Sequence, residues 1–191
     1  MSEVNDTAYA TQGLDLMSRL AIWYGTDKAP LVGHGYTLYY DKLFCDCRDA
    51  VRKVLEIGID RGYSLLLWRA YFPNAEIYAL DSNPERMLQG VRIRSFVCNQ
   101  AIEDDLRQAA AWAGTGFDLI VDDGSHEPEH QVLSARVLVP LLAPDGIYII
   151  EDVLRPDAIV PHIPYPCETV IGEDAERDAY SKLVVIRGSQ P

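Results

Sequence analysis

Leu14, Met17, Leu20, Ala21 and Tyr24 recur at helical spacing. Residues 11–24 are therefore predicted to form an amphipathic helix, which Gly25 stops. A loop with Pro30, Gly33 and Gly35 follows, and 36–44 reads as a second short helix. From residue 53 the pattern changes to short apolar runs that alternate with helical stretches. The runs are 53–57, 76–80, 93–98, 117–121 and 147–150; the helices are 63–72, 102–112 and 128–142. Pro84 suits a helix first turn, and Pro144-Asp145-Gly146 reads as the turn that closes helix 128–142. Pro156, Pro161, Pro164 and Pro166 mark 156–166 as a loop; 183–186 reads as a final strand, with 168–171 as its partner. Such alternation predicts an α/β fold with a doubly wound, mostly parallel sheet. One domain over 1–191 is expected, with 1–50 as an N-terminal helical cap and 51–191 as the core.

The sharpest local signal is Val54-Leu55-Glu56-Ile57-Gly58-Ile59-Asp60-Arg61-Gly62-Tyr63-Ser64. A buried strand ends in glycines and restarts as an apolar helix, leaving bare backbone and helix N–H groups for a ligand. Dinucleotide sites use G-x-G-x-x-G. Here the second glycine position is Asp60 and the third is Tyr63. A carboxylate at that turn repels a pyrophosphate. It better suits a ligand with a positive centre and a ribose, such as S-adenosyl-L-methionine (SAM).

Ligands in these sheets bind beyond the carboxyl ends of the strands. Six carboxylates are predicted at that edge: Glu56, Asp81, Asp122, Asp123, Glu151 and Asp152. They would repel one another unless something cationic lies among them. Asp81, at the end of the second strand, is placed to accept the hydroxyls of a ribose. With Glu56, Gly58, Asp60, Gly62, Ser64, Ser82, Gln100 and Asp122 it makes up the expected donor site of the core. Asp123, Glu151 and Asp152 end strands that lie side by side, about 4.8 Å apart. Three hard oxygen ligands suit Mg2+, Mn2+ or Ca2+ rather than zinc. His126 shares the loop of Asp123 and can take a proton near neutrality. A hydroxyl is too weakly acidic for imidazole alone, and a divalent cation would lower its pKa. His126 and Asp123 are accordingly the catalytic candidates.

Two motifs are decoys. His126-Glu127-Pro128-Glu129-His130 matches H-E-x-x-H literally, but Pro128 places His126 before a helix rather than within it. Cys45 and Cys47 have no second close pair to complete a zinc set.

Composition narrows the partners. The chain has 191 residues and a net charge of −12, which disfavours phosphate backbones and hence nucleic acid. No apolar run approaches the roughly 20 residues of a membrane span. The N-terminus is acidic without a signal-peptide core, so a cytoplasmic location and no membrane partner are expected.

Leu55-Glu56-Ile57-Gly58, Asp122-Asp123-Gly124-Ser125-His126 and Ile150-Glu151-Asp152 resemble the motifs of metal-dependent sugar O-methyltransferases. The closest resemblance is to the macrocin and mycinamicin type, in the Rossmann-like methyltransferase superfamily. Tyr24-Gly25-Thr26-Asp27-Lys28 and His34-Gly35-Tyr36-Thr37 resemble that group too, and the similarity covers about residues 20–152. It implies SAM as methyl donor, magnesium at Asp123, Glu151 and Asp152, and His126 as base. It also implies that Tyr24, Thr26, Lys28, His34 and Tyr36 fold over SAM or line the acceptor pocket; Lys28 could pair with one of the excess carboxylates. The expected acceptor is a small-molecule sugar or glycoside hydroxyl in antibiotic or other secondary metabolism, and the expected assembly is a homo-oligomer. N-methylation of an aminosugar, an NAD-dependent oxidoreductase and a non-catalytic SAM-binding protein are the competing expectations.

Overall fold

The computed structural model describes residues 12–172 and 181–188. The first expected helix begins in part outside them, at residue 11, and its described part starts later than the periodicity predicts. Asp15 caps α1 (Leu16–Tyr24) by accepting from the Ser18 N–H at 2.7 Å, and Gly25 ends it in the left-handed conformation, φ 81°. A side-chain oxygen of this kind satisfies an otherwise orphaned helix donor, which is why the helix starts at its cap and not at its first apolar residue. Next comes α2 (Tyr36–Phe44).

The core then alternates as expected: β1 (Lys53–Ile57), α3 (Tyr63–Tyr71), β2 (Glu76–Asp81), β3 (Ile93–Val97), α4 (Glu103–Ala113), β4 (Phe117–Asp122), α5 (Pro128–Leu138) and β5 (Leu142–Ile150). The last elements are α6 (Pro156–Ile159), β6 (Cys167–Ile171) and β7 (Lys182–Arg187). The sheet runs β3-β2-β1-β4-β5-β7-β6; its first five strands are parallel, whereas β7 pairs antiparallel to both β5 and β6. Both sheet faces are covered. Val54, Leu119 and Ile149 pack with α1, α2 and α3, while Leu55, Ile120 and Ile150 pack with α4 and α5. Successive strand residues point to opposite faces, so a strand buried on both faces reads as a continuous apolar run.

Four local expectations change. Pro84 opens only one 3₁₀ turn, Pro84–Arg86; the chain then extends, and the Ser95 hydroxyl engages both the N–H and the carbonyl of Leu88 at 2.9 Å. Helix α5 stops at Leu138, because Pro140 has no N–H to continue the ladder and Val139–Leu141 tighten into a 3₁₀ turn. Pro144-Asp145-Gly146 lies inside β5, where the register against β4 slips between Phe117↔Leu142 and Leu119↔Ile147. The 156–166 stretch contains α6 and a 3₁₀ turn, Val160–His162, with a proline in each first turn, where a missing N–H costs nothing.

No helix among the described residues is long and apolar enough to cross a membrane.

Candidate active site

The parallel strands deliver their carboxylates to one edge, where a cavity of about 540 Å³ opens. It is lined by Asp81, Ser82, Asn99 and Gln100 beyond β2 and β3, by Gly58, Asp60 and Ser64 beyond β1, and by Asp123, His126 and Asp152 beyond β4 and β5. Gly25, Thr26 and Asp27, from the segment between α1 and α2, also line it. The expected donor residues therefore divide. Gly58, Asp60, Ser64, Asp81, Ser82, Gln100 and Thr26 face the cavity, whereas Glu56, Gly62, Asp122, Tyr24, Lys28, His34 and Tyr36 do not line it.

The second group supports the first. Asp122 is fully buried and accepts from Gln100 Nε2 at 3.0 Å and Tyr148 Oη at 3.1 Å. Burial pushes its carboxyl up to about 6. Gln100 also accepts from the Ser125 N–H at 2.6 Å, fixing the loop that carries His126. Gly62 is the left-handed N-cap of α3, φ 76°. Gly58 has φ 96°, and a Cβ there would collide with the Asp123 carbonyl oxygen. Its lack of a side chain is thus demanded by the neighbouring loop rather than by a ligand's approach. Asp81 is fixed by the Ile59 N–H at 2.9 Å and the Asn83 N–H at 2.8 Å. Asp60 is exposed and faces Arg86 at 3.3 Å; Arg86 also reaches Asp81 at 3.8 Å and lines the cavity.

Lys28 stands at the centre of the carboxylates, 1% exposed. Its ammonium bonds Asp123 Oδ2 at 2.5 Å and Glu151 Oε2, and lies 3.3 Å from Glu56 Oε1. Burial opposes its charge, but Asp123, Glu151 and Glu56 outweigh burial and hold the group protonated. Tyr40, which the sequence reading missed, donates to Glu151 Oε1 at 2.6 Å. Tyr36 donates to Asp152 Oδ1 at 2.6 Å and accepts from the Asp152 N–H at 3.1 Å. His34 lies 3.8 Å from the same carboxylate.

His126 Nε2 lies 3.3 Å from Asp123 Oδ1 and 3.4 Å from Asp152 Oδ2. His126 and Asp152 both adopt left-handed backbone, φ 61° and 54°. Such conformations cost roughly 1–3 kcal/mol each in non-glycine residues and cluster at functional sites. One ligand atom each from Asp123, His126 and Asp152 fall within 4.8 Å of one another, a spacing that fits one small cation. Among the described residues no such group forms around Cys45 and Cys47. Both oxygens of Glu151, the third expected ligand, are engaged by Lys28 and Tyr40. His130 faces Ser125 Oγ at 2.9 Å instead of joining His126, so the two histidines of the H-E-x-x-H match do not converge.

Burial would raise Asp123, but the Lys28 charge and the bonds from His126 and Lys28 hold it at about 2. The bond to Asp123 raises His126 against the effect of burial. Burial also lifts Glu56 to about 7, against Lys28. Its folded-state pKa thus exceeds the unfolded value of about 4.3. The associated stability is fully present below that value and is lost as pH rises through 7. Glu56→Gln, permanently neutral, should flatten the fall in melting temperature between about pH 5 and 7, a contribution of at most about 3 kcal/mol. Thermal denaturation across that range checks this, and an unchanged slope would refute it.

A family model described as "Methyltransferase domain" matches residues 55–153. Mycinamicin VI 2''-O-methyltransferase of Micromonospora griseorubida is 36% identical over 143 residues, covering 71% of this chain and 35% of that protein. The 8-demethyl-8-(2-methoxy-alpha-L-rhamnosyl)-tetracenomycin-C 3'-O-methyltransferase of Streptomyces olivaceus is also 36% identical, over 71% of this chain and 36% of that one. Among solved structures, the MycE methyltransferase from the mycinamycin biosynthetic pathway, in complex with Mg, SAH and mycinamycin VI, superposes with a TM-score of 0.66 at 35% identity. That match covers 71% of this chain and 36% of the MycE chain. The chain spans about 35% of the length of such curated relatives.

Proposed function

This chain belongs to the methyltransferase-domain family, and on that premise we propose that it transfers a methyl group from SAM to a hydroxyl of a sugar or glycoside, with Mg2+ assistance. The setting would be the cytoplasm, in the biosynthesis of an antibiotic or another secondary metabolite. Residues 51–191 would form the Rossmann-like core and 1–50 a cap over the donor pocket.

The observation that carries this reading is the meeting of His126, Asp123 and Asp152 in a cavity that Asp81 also lines. Asp81, oriented by two backbone N–H groups, keeps lone pairs for the two ribose hydroxyls of the donor. Ser82, Asn99 and Gln100 line the same pocket, as do Thr26 and Asp27. Asp123 and Asp152 would hold the ion, with Glu151 next to Asp152 in the chain. When bound, the ion supplies Lewis acidity that lowers the pKa of the acceptor hydroxyl. His126 Nε2 then takes the hydroxyl proton. The two carboxylates within 3.4 Å stabilise the imidazolium that results. The relatives named above are O-methyltransferases of mycinamicin VI and of a rhamnosyl tetracenomycin. An amine acceptor would need no metal, so the oxygen-rich cluster speaks for a hydroxyl.

Calorimetry with SAM and with NAD, each with and without Mg2+, tests the donor. SAM should bind, and NAD binding in its place would overturn the assignment. A panel of glycosylated metabolites, screened by mass for the gain of one methyl group, then identifies the acceptor.

A further inference from the structure

We propose, on the methyltransferase reading above, that Lys28 is a built-in counter-cation of the carboxylate cluster, holding Asp123 and Glu151 in place and weakening the cluster's grip on a divalent ion. The oxygens of the cluster are divided between two sides. On the inner side, the Lys28 ammonium touches Asp123 Oδ2, Glu151 Oε2 and Glu56 Oε1. The remaining oxygens of the two glutamates accept from neutral hydroxyls, Glu56 Oε2 from Ser64 at 2.7 Å and Glu151 Oε1 from Tyr40 at 2.6 Å. On the outer side, Asp123 Oδ1 and Asp152 Oδ2 are the oxygens left for a small cation, with His126 Nε2 at 3.3 and 3.4 Å from them.

Asp123 belongs to both sides. A divalent ion on one of its oxygens faces the Lys28 ammonium on the other, and two cations across one half-buried carboxylate repel. The lysine also stabilises the fold, because without it several carboxylates would be packed at the strand ends with no internal cation. Its backbone is anchored as well, the Lys28 carbonyl accepting from the Thr37 N–H at 3.1 Å. Lys28 does not face the cavity, so it acts as a positioning residue, through Asp123 and Glu151.

The test compares the wild-type chain with Lys28→Met and Lys28→Gln in the absence of SAM. It measures Mg2+ affinity by calorimetry and melting temperature in chelator and in saturating Mg2+. Both variants should melt lower than wild type in chelator. They should bind Mg2+ roughly tenfold or more tightly, and they should gain more in melting temperature from Mg2+ than wild type does. Equal or weaker Mg2+ binding with an unchanged gain would overturn the proposal. So would failure of both variants to fold even in saturating Mg2+, since the ion is expected to replace the lost charge. Loss of the methyltransferase reading would register separately, as failure of the wild-type chain to bind SAM.

Discussion

His126→Ala is expected to lower the rate of methyl transfer by roughly 10²–10⁴-fold, the usual contribution of a positioned proton acceptor, while SAM affinity stays within a few-fold of wild type. The two readouts separate because of where His126 lies. Its ring lies against Asp123 and Asp152, whereas Asp81, which would hold the ribose, ends β2 on the other side of β1. Alanine also relieves nothing essential in packing, since the His126 side chain is 37% exposed. Single-turnover kinetics alongside calorimetry would measure both quantities. Wild-type turnover would remove His126 as the base. Loss of SAM binding in parallel would show that the loop at 124–126 is part of the donor pocket instead.

The second large effect is expected from Asp123→Asn. Asparagine keeps the shape of the side chain and removes its charge. The outer group would lose one of its two anionic ligands and Lys28 one of its partners. Mg2+-induced stabilisation should disappear, and turnover should fall by roughly 10²-fold or more, in line with the loss of Lewis-acid assistance worth several kcal/mol. The fold should survive with a loss of about 1–3 kcal/mol, because Glu151 and Glu56 still pair with Lys28. A Mg2+-dependent rise in melting temperature that persists in the variant would exclude Asp123 as a ligand.

Much of this architecture was legible in the chain. The apolar runs from Val54 to Ile150 locate the parallel strands, because burial on both faces leaves no polar alternation to confuse them. The acids just past those runs mark the functional edge, since a parallel sheet brings its strand ends to one side. What was not legible depends on contacts distant in sequence. Lys28 meets Asp123 and Glu151 across 95 and 123 residues, and no local pattern says that one ammonium will take three carboxylates. Tyr40 reads as one more apolar position of α2 until its hydroxyl is found on Glu151. Arg86 sits in a short turn with no periodicity to interpret, yet it lines the cavity. The pairing of β7 with β6 was expected from the two runs, but the antiparallel insertion of β7 beside β5 was not.

Gly58 carries a consequence for distance control. Methyl transfer needs the donor carbon and the acceptor oxygen within about 3–3.5 Å, and an error near 1 Å can cost about a hundredfold. The turn that would seat the donor and the loop that carries Asp123 and His126 are separated only by the hydrogens of the Gly58 Cα. That contact works as a spacer of fixed thickness. Any side chain inserted there would push the acid and the base outward together, and the two halves of the reaction would lose their calibration even with every reacting group still present.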